Sequence, residues 1–317
     1  MKILANDGIS QAGIDKLAAN GFEVITNNVP QDELVDYINE NQVVGLLVRS
    51  ATKVRKDIID NCSSLKFIGR GGVGMDNIDV EYARSKGITV QNTPAASSQS
   101  VAELVMGQLF SISRFTFDSS KQMPSEGADN FKQLKKKYAK GVELRGKTLG
   151  IIGFGRIGRS LASYALGCGM NVIAYDKFEF DSTVSLSIAG QTLKASVKKV
   201  AFDELLLSSD YISLHVPKQE DGSAVLGAKE LNSLKDGARI VNAARGGVID
   251  EDALLDALSS NKIAYVALDV FENEPTPRKD LLENDKIAST PHIGAATIEA
   301  QERIGLELAE KIIETLK

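Results

Sequence analysis

Two histidines, His215 and His292, are the only imidazoles in the chain. Proton transfer near neutral pH most often falls to histidine, whose ordinary pKa of about 6.5 suits both directions. His292 stands in STPHIGAAT, on a loop between a proline and a glycine. His215 stands in YISLHVP at the end of an apolar run, where it reads as a cleft wall or a satisfied core residue. Two other apolar runs end on charged residues. RIVNAARGGVIDEDALLDAL puts Arg245 just after one of them, ahead of Gly246-Gly247, and VALDVFENEP puts Asp269 at the end of another with Glu274 five residues later. These three residue types meet three separate needs. A guanidinium grips a carboxylate bidentately, an imidazole takes or gives a hydroxyl proton, and a carboxylate orients that imidazole and favours its charged form.

A second constellation points to phosphate. In GKTLGIIGFGRIGRSLASYALGCGMNVIAYD, Gly153, Gly155 and Gly158 form G-x-G-x-x-G directly after an apolar strand and at the head of a helix. The first glycine permits the tight turn, the second lets a pyrophosphate approach the backbone, and the third lets helix and strand pack closely. The helix N-terminus adds unpaired N–H groups and a partial positive charge. Asp176 ends the next strand, eighteen residues after Gly158. A carboxylate there accepts hydrogen bonds from both ribose hydroxyls and repels a 2′-phosphate, which favours NAD over NADP. Lys177 follows at once and partly offsets that repulsion.

The elements that must position these groups alternate. KILA, FEVIT, VVGLLV, KFIG and ITVQ read as strands in the first ninety residues, with helical spacing between them. TLGII, NVIAY, YISLHV, ARIVN and IAYVAL repeat the pattern from Thr148 onward. Alternation of this kind builds βαβ units and parallel sheets, here two doubly wound α/β series. Ligands in such sheets bind outside the carboxyl ends of the strands, where Arg245, Glu274 and His292 all fall. A helix is expected from about Ser97, with Ser97 and Ser98 as capping residues. The stretch from Ser119 to Lys140 reads as a loop and one basic helix whose lysines form a solvated face. TVSLSI and TLKASV alternate with period two around Ala189-Gly190 and predict an inserted hairpin. Ile304, Leu308 and Ile312 mark an amphipathic final helix.

Composition sets outer bounds. A chain of 317 residues is long enough for two domains. It carries 43% hydrophobic and 25% charged residues, the make-up of an ordinary globular protein. A net charge of −5 argues against nucleic acid or an anionic membrane as partner. No apolar run approaches the roughly 20 residues that span a bilayer, and no secretory leader is visible at the start. Cys62 and Cys168 lie far apart without metal-ligand spacing, so no metal site is expected. A cytoplasmic, reducing location follows.

With these residues in place, the chain resembles the D-isomer-specific 2-hydroxyacid dehydrogenase family over essentially its whole length. NTPAASSQSVAEL, GKTLGIIGFGRIG, NAARGGVIDEDAL, ALDVFENEP and TPHIGAAT carry the resemblance, in that order. The match is nearest to the short-form phosphoglycerate dehydrogenase branch. The resemblance implies that Arg245 grips the substrate carboxylate and its reacting oxygen, that His292 is the acid–base, and that Glu274 pairs with it. Asp269 would meet the nicotinamide amide, and Arg156, Ile157, Asp176, Val216, Pro217, Ala243 and Gly294 would join the three glycines around NAD. The implied fold is a flavodoxin-like substrate domain from residues 1–95 and 294–317, plus a Rossmann NAD-binding domain from 96–293 through which the chain forms a homodimer.

Arg49 in LLVRSATKV and Arg70 in KFIGRGGVGMDNID each sit at or just past a strand end. Surface ion pairing is the plain account of either. The resemblance instead makes them substrate-phosphate ligands, with Gly72 and Val73 beside them, because a phosphoryl group wants guanidinium forks. The expected reaction is oxidation of D-3-phosphoglycerate to 3-phosphohydroxypyruvate, the entry to serine synthesis. The chain ends after its last helix, so serine feedback through the C-terminal regulatory domains of longer relatives is not expected. Alternatives that keep the Arg–Glu–His group are a glyoxylate, hydroxypyruvate or D-lactate dehydrogenase, or an NAD-sensing binding protein like the co-repressors that share this fold.

Overall fold

Short apolar runs build two parallel sheets in the computed structural model, which describes residues 1–317 and separates into two units, Met1–Ser100 with Ala295–Lys317 and Val101–Gly294. In the first unit β1 (Lys2–Ala5), β2 (Glu23–Ile25), β3 (Val43–Val48), β4 (Phe67–Arg70) and β5 (Thr89–Asn92) lie parallel in the order β2-β1-β3-β4-β5. Helices α1 (Gln11–Ala19), α2 (Leu34–Asn41), α3 (Lys56–Asn61) and α4 (Val80–Ser85) connect them. This is the flavodoxin-like winding, which reverses between β1 and β3. A parallel sheet is covered on both faces, and five of the six residues of β3 are accordingly buried.

The C-terminal helix (Ile298–Leu316) belongs to this unit and packs along α1. Ile304, Leu308 and Ile312 are buried in one cluster with Ile3, Leu17, Leu47 and Phe67. The two helices touch at glycines: a Cβ on Gly13 would stand 2.8 Å from the Gly305 carbonyl oxygen. Both helices are capped by hydroxyls, Ser10 accepting from the Gly13 N–H and Thr297 from the Ala300 N–H.

The second unit takes α5 (Ser98–Arg114) from Val101 onward, then α6 (Thr116–Lys137). Its sheet takes β6 (Thr148–Ile152), β7 (Asn171–Tyr175), β10 (Lys198–Lys199), β11 (Tyr211–Leu214), β12 (Ala238–Asn242), β13 (Ile263–Leu268) and β14 (Ile287–Ser289) in the order β10-β7-β6-β11-β12-β13-β14, all parallel. This is a Rossmann winding, with the switch between β6 and β11. Between them run α7 (Arg156–Gly167), α8 (Phe202–Ser208), α9 (Ala228–Ser233), α10 (Glu251–Ser259) and α11 (Lys279–Leu282). Strands β8 (Thr183–Ile188) and β9 (Gln191–Ser196) pair as an antiparallel hairpin, with Ala189 and Gly190 both at positive φ in the two-residue turn that suits such a twist.

The lysine-rich stretch departs from expectation. Instead of a loop and one helix, helical backbone runs from Thr116 through Pro124 and breaks at Asn130 (φ −118°, ψ 20°). Residues 118 and 137 on a straight helix would lie about 28 Å apart. Yet Asp118 accepts hydrogen bonds from Lys137 Nζ at 2.9 Å and Tyr138 Oη at 2.7 Å, so the chain doubles back at the break. Phe117 packs on the core and Leu134 is buried. These anchors on both arms outweigh the one hydrogen bond that proline removes. Lys132, Lys135, Lys136 and Lys140 face solvent.

Candidate active site

In the second unit the chain leaving β6 turns at Gly153 (φ +93°), where a side chain would meet the His215 carbonyl oxygen at 2.5 Å. A Cβ on Gly158 would lie 2.3 Å from the Gly153 oxygen, so only glycine lets α7 sit this close to the strand. Gly155 differs: nothing lies within 4 Å of its would-be Cβ, and no side chain caps the helix it opens. Open space in front of unpaired N–H groups is what a diphosphate requires. Arg156 and Ile157 form the first turn of α7, exposed and half-buried.

A cleft of 930 Å³ extends from this turn and is lined by Gly153, Gly155, Asp176, His215, Val216 and Pro217 among others. Asp176 is held by the Phe154 N–H on Oδ2 at 2.8 Å and the Phe178 N–H on Oδ1 at 3.0 Å. Lys177 Nζ lies 5.0 Å from the centroid of the Phe178 ring, a cation–π contact. The residues present fit a dinucleotide: a cradle with space for phosphate, then a fixed carboxylate at the end of the next strand. His215 is a wall of this cleft. Its Nε2 meets Ser213 Oγ at 2.9 Å, and burial pushes the imidazole down to about 3, so it stays neutral.

The other group gathers at the ends of β12, β13 and β14. Asn242, the last residue of β12, donates to the Arg245 carbonyl at 2.9 Å and accepts from the Ala244 N–H at 3.0 Å, fixing the turn that carries Ala243 and Arg245, both half-buried. Arg245 Nη1 donates to the Ala244 carbonyl at 2.6 Å. Asp269, just past β13, is 1% exposed. Its Oδ1 accepts from Thr290 Oγ1 at 2.6 Å and the Ile293 N–H at 2.9 Å, and its Oδ2 accepts from the Gly294 N–H at 2.8 Å. Asp269 therefore clamps the loop after β14 on both sides of His292, which sits in the left-handed region at φ +54°. The three hydrogen bonds hold a backbone that costs about 1–3 kcal/mol for a non-glycine residue.

Glu274 completes the group. Its Oε1 accepts from the Phe271 N–H at 3.0 Å, and its Oε2 stands 2.7 Å from His292 Nδ1. An ionised carboxylate accepts only, so the imidazole carries its proton on Nδ1 and leaves Nε2 for a reacting hydroxyl. His292 and Glu274 are both exposed. Asn242 fixes the Arg245 turn, while Asp269, accepting from Thr290 and from the Ile293 and Gly294 N–H groups, holds the loop that carries His292. Of these, only Asp269 stood out in the sequence. Asn242 at its strand end is the one further signal; Thr290 gives none.

In the first unit Asp7 accepts from the backbone N–H groups of Arg49 at 2.6 Å and Thr52 at 3.1 Å, and Asn77 Nδ2 donates to the Arg49 carbonyl at 2.8 Å. So held, Arg49 lines a 550 Å³ cavity with Ser10 and Gln11 of the α1 N-terminus and Thr297 and Gln301 of the C-terminal helix. Arg70 lies over Gly72, whose φ of +141° and lack of a Cβ leave room for Arg70 Nη1, and Val73 is exposed beyond it.

A nucleotide cradle and a carboxylate–imidazole pair on one Rossmann sheet define a dehydrogenase, and comparison with known proteins agrees. Residues 106–294 match the NAD-binding domain of the D-isomer specific 2-hydroxyacid dehydrogenases, and the chain belongs to that family. It is 46% identical over 298 residues to the hydroxypyruvate reductase of Thermotoga maritima, covering 93% of this chain and 91% of that protein. It is 40% identical to the D-3-phosphoglycerate dehydrogenase of Archaeoglobus fulgidus, over 100% of this chain but 58% of that one. The crystal structure of a glyoxylate reductase from Paecilomyes thermophila superposes with a TM-score of 0.83 at 30% identity, covering 100% of this chain and 96% of the other.

Proposed function

We propose that this protein oxidises a small D-2-hydroxy acid with NAD, using Arg245, Glu274 and His292. The 2.7 Å pairing of Glu274 Oε2 with His292 Nδ1 carries the reading. Bound NAD would supply the acceptor for the hydride that leaves C2 of the hydroxy acid. His292 Nε2 accepts the hydroxyl proton as the carbonyl forms, and Glu274 stabilises the resulting imidazolium. Arg245 grips the substrate carboxylate and polarises the reacting oxygen. Gly153, Gly155, Arg156, Ile157 and Gly158 receive the diphosphate, Asp176 the adenosine ribose, and Val216, Pro217 and Ala243 the remaining cofactor surface. Asp269 and Gly294 keep the His292 loop in place.

The substrate we favour is D-3-phosphoglycerate, giving 3-phosphohydroxypyruvate. Arg49, in a cavity flanked by two helix N-termini, and Arg70 supply what a phosphoryl group needs. Likeness to phosphoglycerate dehydrogenases along the whole chain supports this. Reduction of hydroxypyruvate to D-glycerate is the second reading, supported by the 46%-identical relative of nearly equal length. NADH formation at alkaline pH with 3-phosphoglycerate, D-glycerate and D-lactate separates them. A higher kcat/KM for 3-phosphoglycerate is expected; preference for D-glycerate favours the second reading, and turnover of none overturns both. We further infer a cytoplasmic homodimer, supported by exposed Phe110, Met123 and Phe131 on α5 and α6 and by two unpaired cysteines.

A further inference from the structure

Glu251 opens α10 yet is only 6% exposed, an unusual place for a carboxyl group. The helix does not need it as a cap, because Asp250 already accepts from the Ala253 N–H at 2.9 Å. Glu251 reaches away instead. Its Oε1 accepts from the Glu272 N–H at 2.9 Å, while Oε2 is buried with no hydrogen-bond partner. Glu272 lies inside the turn that carries Glu274, and the preceding residue, Phe271, gives its N–H to Glu274 Oε1.

The same turn is braced from a second side. A Cβ on Gly246 would fall 1.8 Å from the Phe271 carbonyl oxygen and 2.6 Å from the Glu272 nitrogen. The loop carrying Arg245 therefore lies directly against the backbone that carries Glu274. Glu251 sits on the helix leaving that loop and ties the pair together.

We propose that Glu251 is a positioning residue that registers the Phe271–Glu274 turn against the Arg245 loop, so that Glu274 reaches His292. The proposal rests on the catalytic reading of Arg245, Glu274 and His292. Burial pushes the Glu251 carboxyl up, opposed by its backbone hydrogen bond and reinforced by the Glu272 charge. A neutral amide of the same shape, with its acceptor oxygen intact, thus reproduces its contact with Glu272.

Three variants test this: E251Q, which keeps the acceptor; E251M, which fills the space without one; and E251A. Each is assayed for kcat, KM and NAD affinity, and the crystal structures of E251Q and E251M give the Glu274–His292 separation. E251Q is expected to keep kcat within about threefold. E251M and E251A are expected to lose about 10- to 100-fold in kcat with unchanged NAD affinity, as small misplacements of a catalytic group do. In E251M the Glu274–His292 distance should exceed hydrogen-bond reach, about 3.2 Å. An E251M structure with that contact intact, or a lowered melting temperature with kcat preserved, overturns the proposal. If the wild-type protein oxidises no hydroxy acid, the functional reading fails, and the distance in E251M still decides the positioning claim.

Discussion

His292 Nδ1 and Glu274 Oε2 stand 2.7 Å apart although eighteen residues separate them in sequence. Each partner is held from behind. Glu274 takes the Phe271 N–H on its other oxygen, and the His292 loop is clamped by three hydrogen bonds to Asp269. Glu274 cannot turn away without breaking its contact with the Phe271 N–H, and the His292 loop cannot shift without breaking those to Asp269. On the proposed reading that fixity directs His292 as the acid–base, since preorganisation, more than mere presence, lowers a barrier.

Asp176 should decide the cofactor. With both oxygens anchored by the Phe154 and Phe178 N–H groups, its charge cannot swing away from a 2′-phosphate. Asp176→Ala is expected to weaken NAD by about tenfold or more, the scale of one charge-assisted hydrogen bond, and NADP by less. Dissociation constants from fluorescence titration measure both; equal losses would mean that the ribose contact lies elsewhere.

Arg49 should decide the substrate. Arg49→Ala is expected to cut kcat/KM for 3-phosphoglycerate by about 10- to 100-fold, as loss of a charged hydrogen bond of roughly 1.5–3 kcal/mol does, and to leave D-glycerate nearly unchanged. Steady-state kinetics on the two substrates read the ratio. A parallel fall for both places the phosphate pocket away from this residue.

His215 makes stability depend on pH. Its folded pKa is about 3, against about 6.5 when unfolded. Below the higher value the unfolded chain binds a proton that the folded chain refuses, so stability declines as pH falls through this window. The slope is at most about 1.4 kcal/mol per pH unit. His215→Gln should flatten the drop in Tm between pH 7 and pH 5 measured by calorimetry. Superimposable pH curves for the two proteins would refute this.

Much of the fold was legible because parallel strands are buried on both faces and announce themselves as unbroken apolar runs. TLGII, NVIAY, ARIVN and IAYVAL are strands over their full predicted lengths. YISLHV ends early, at Leu214, where the chain enters the cleft. The bent α6 was hidden because its determinants are Phe117, Leu134 and the Asp118–Lys137 pair, contacts across a fold-back that local spacing does not encode. At the site, the kinds of residue could be read from Arg245, Glu274 and His292, each placed after an apolar run. Which oxygen meets which nitrogen could not. Asp269 shows the gap: its place at a strand end was legible, but its three hydrogen bonds to Thr290, Ile293 and Gly294 were not.

The most direct test of the account is kcat for His292→Ala with the best hydroxy-acid substrate, measured beside its affinity for NAD. A loss of about 10²- to 10⁴-fold in turnover is expected, the scale of a positioned acid–base, with NAD bound as tightly as in the wild-type protein. Turnover within a few-fold of wild type would contradict it.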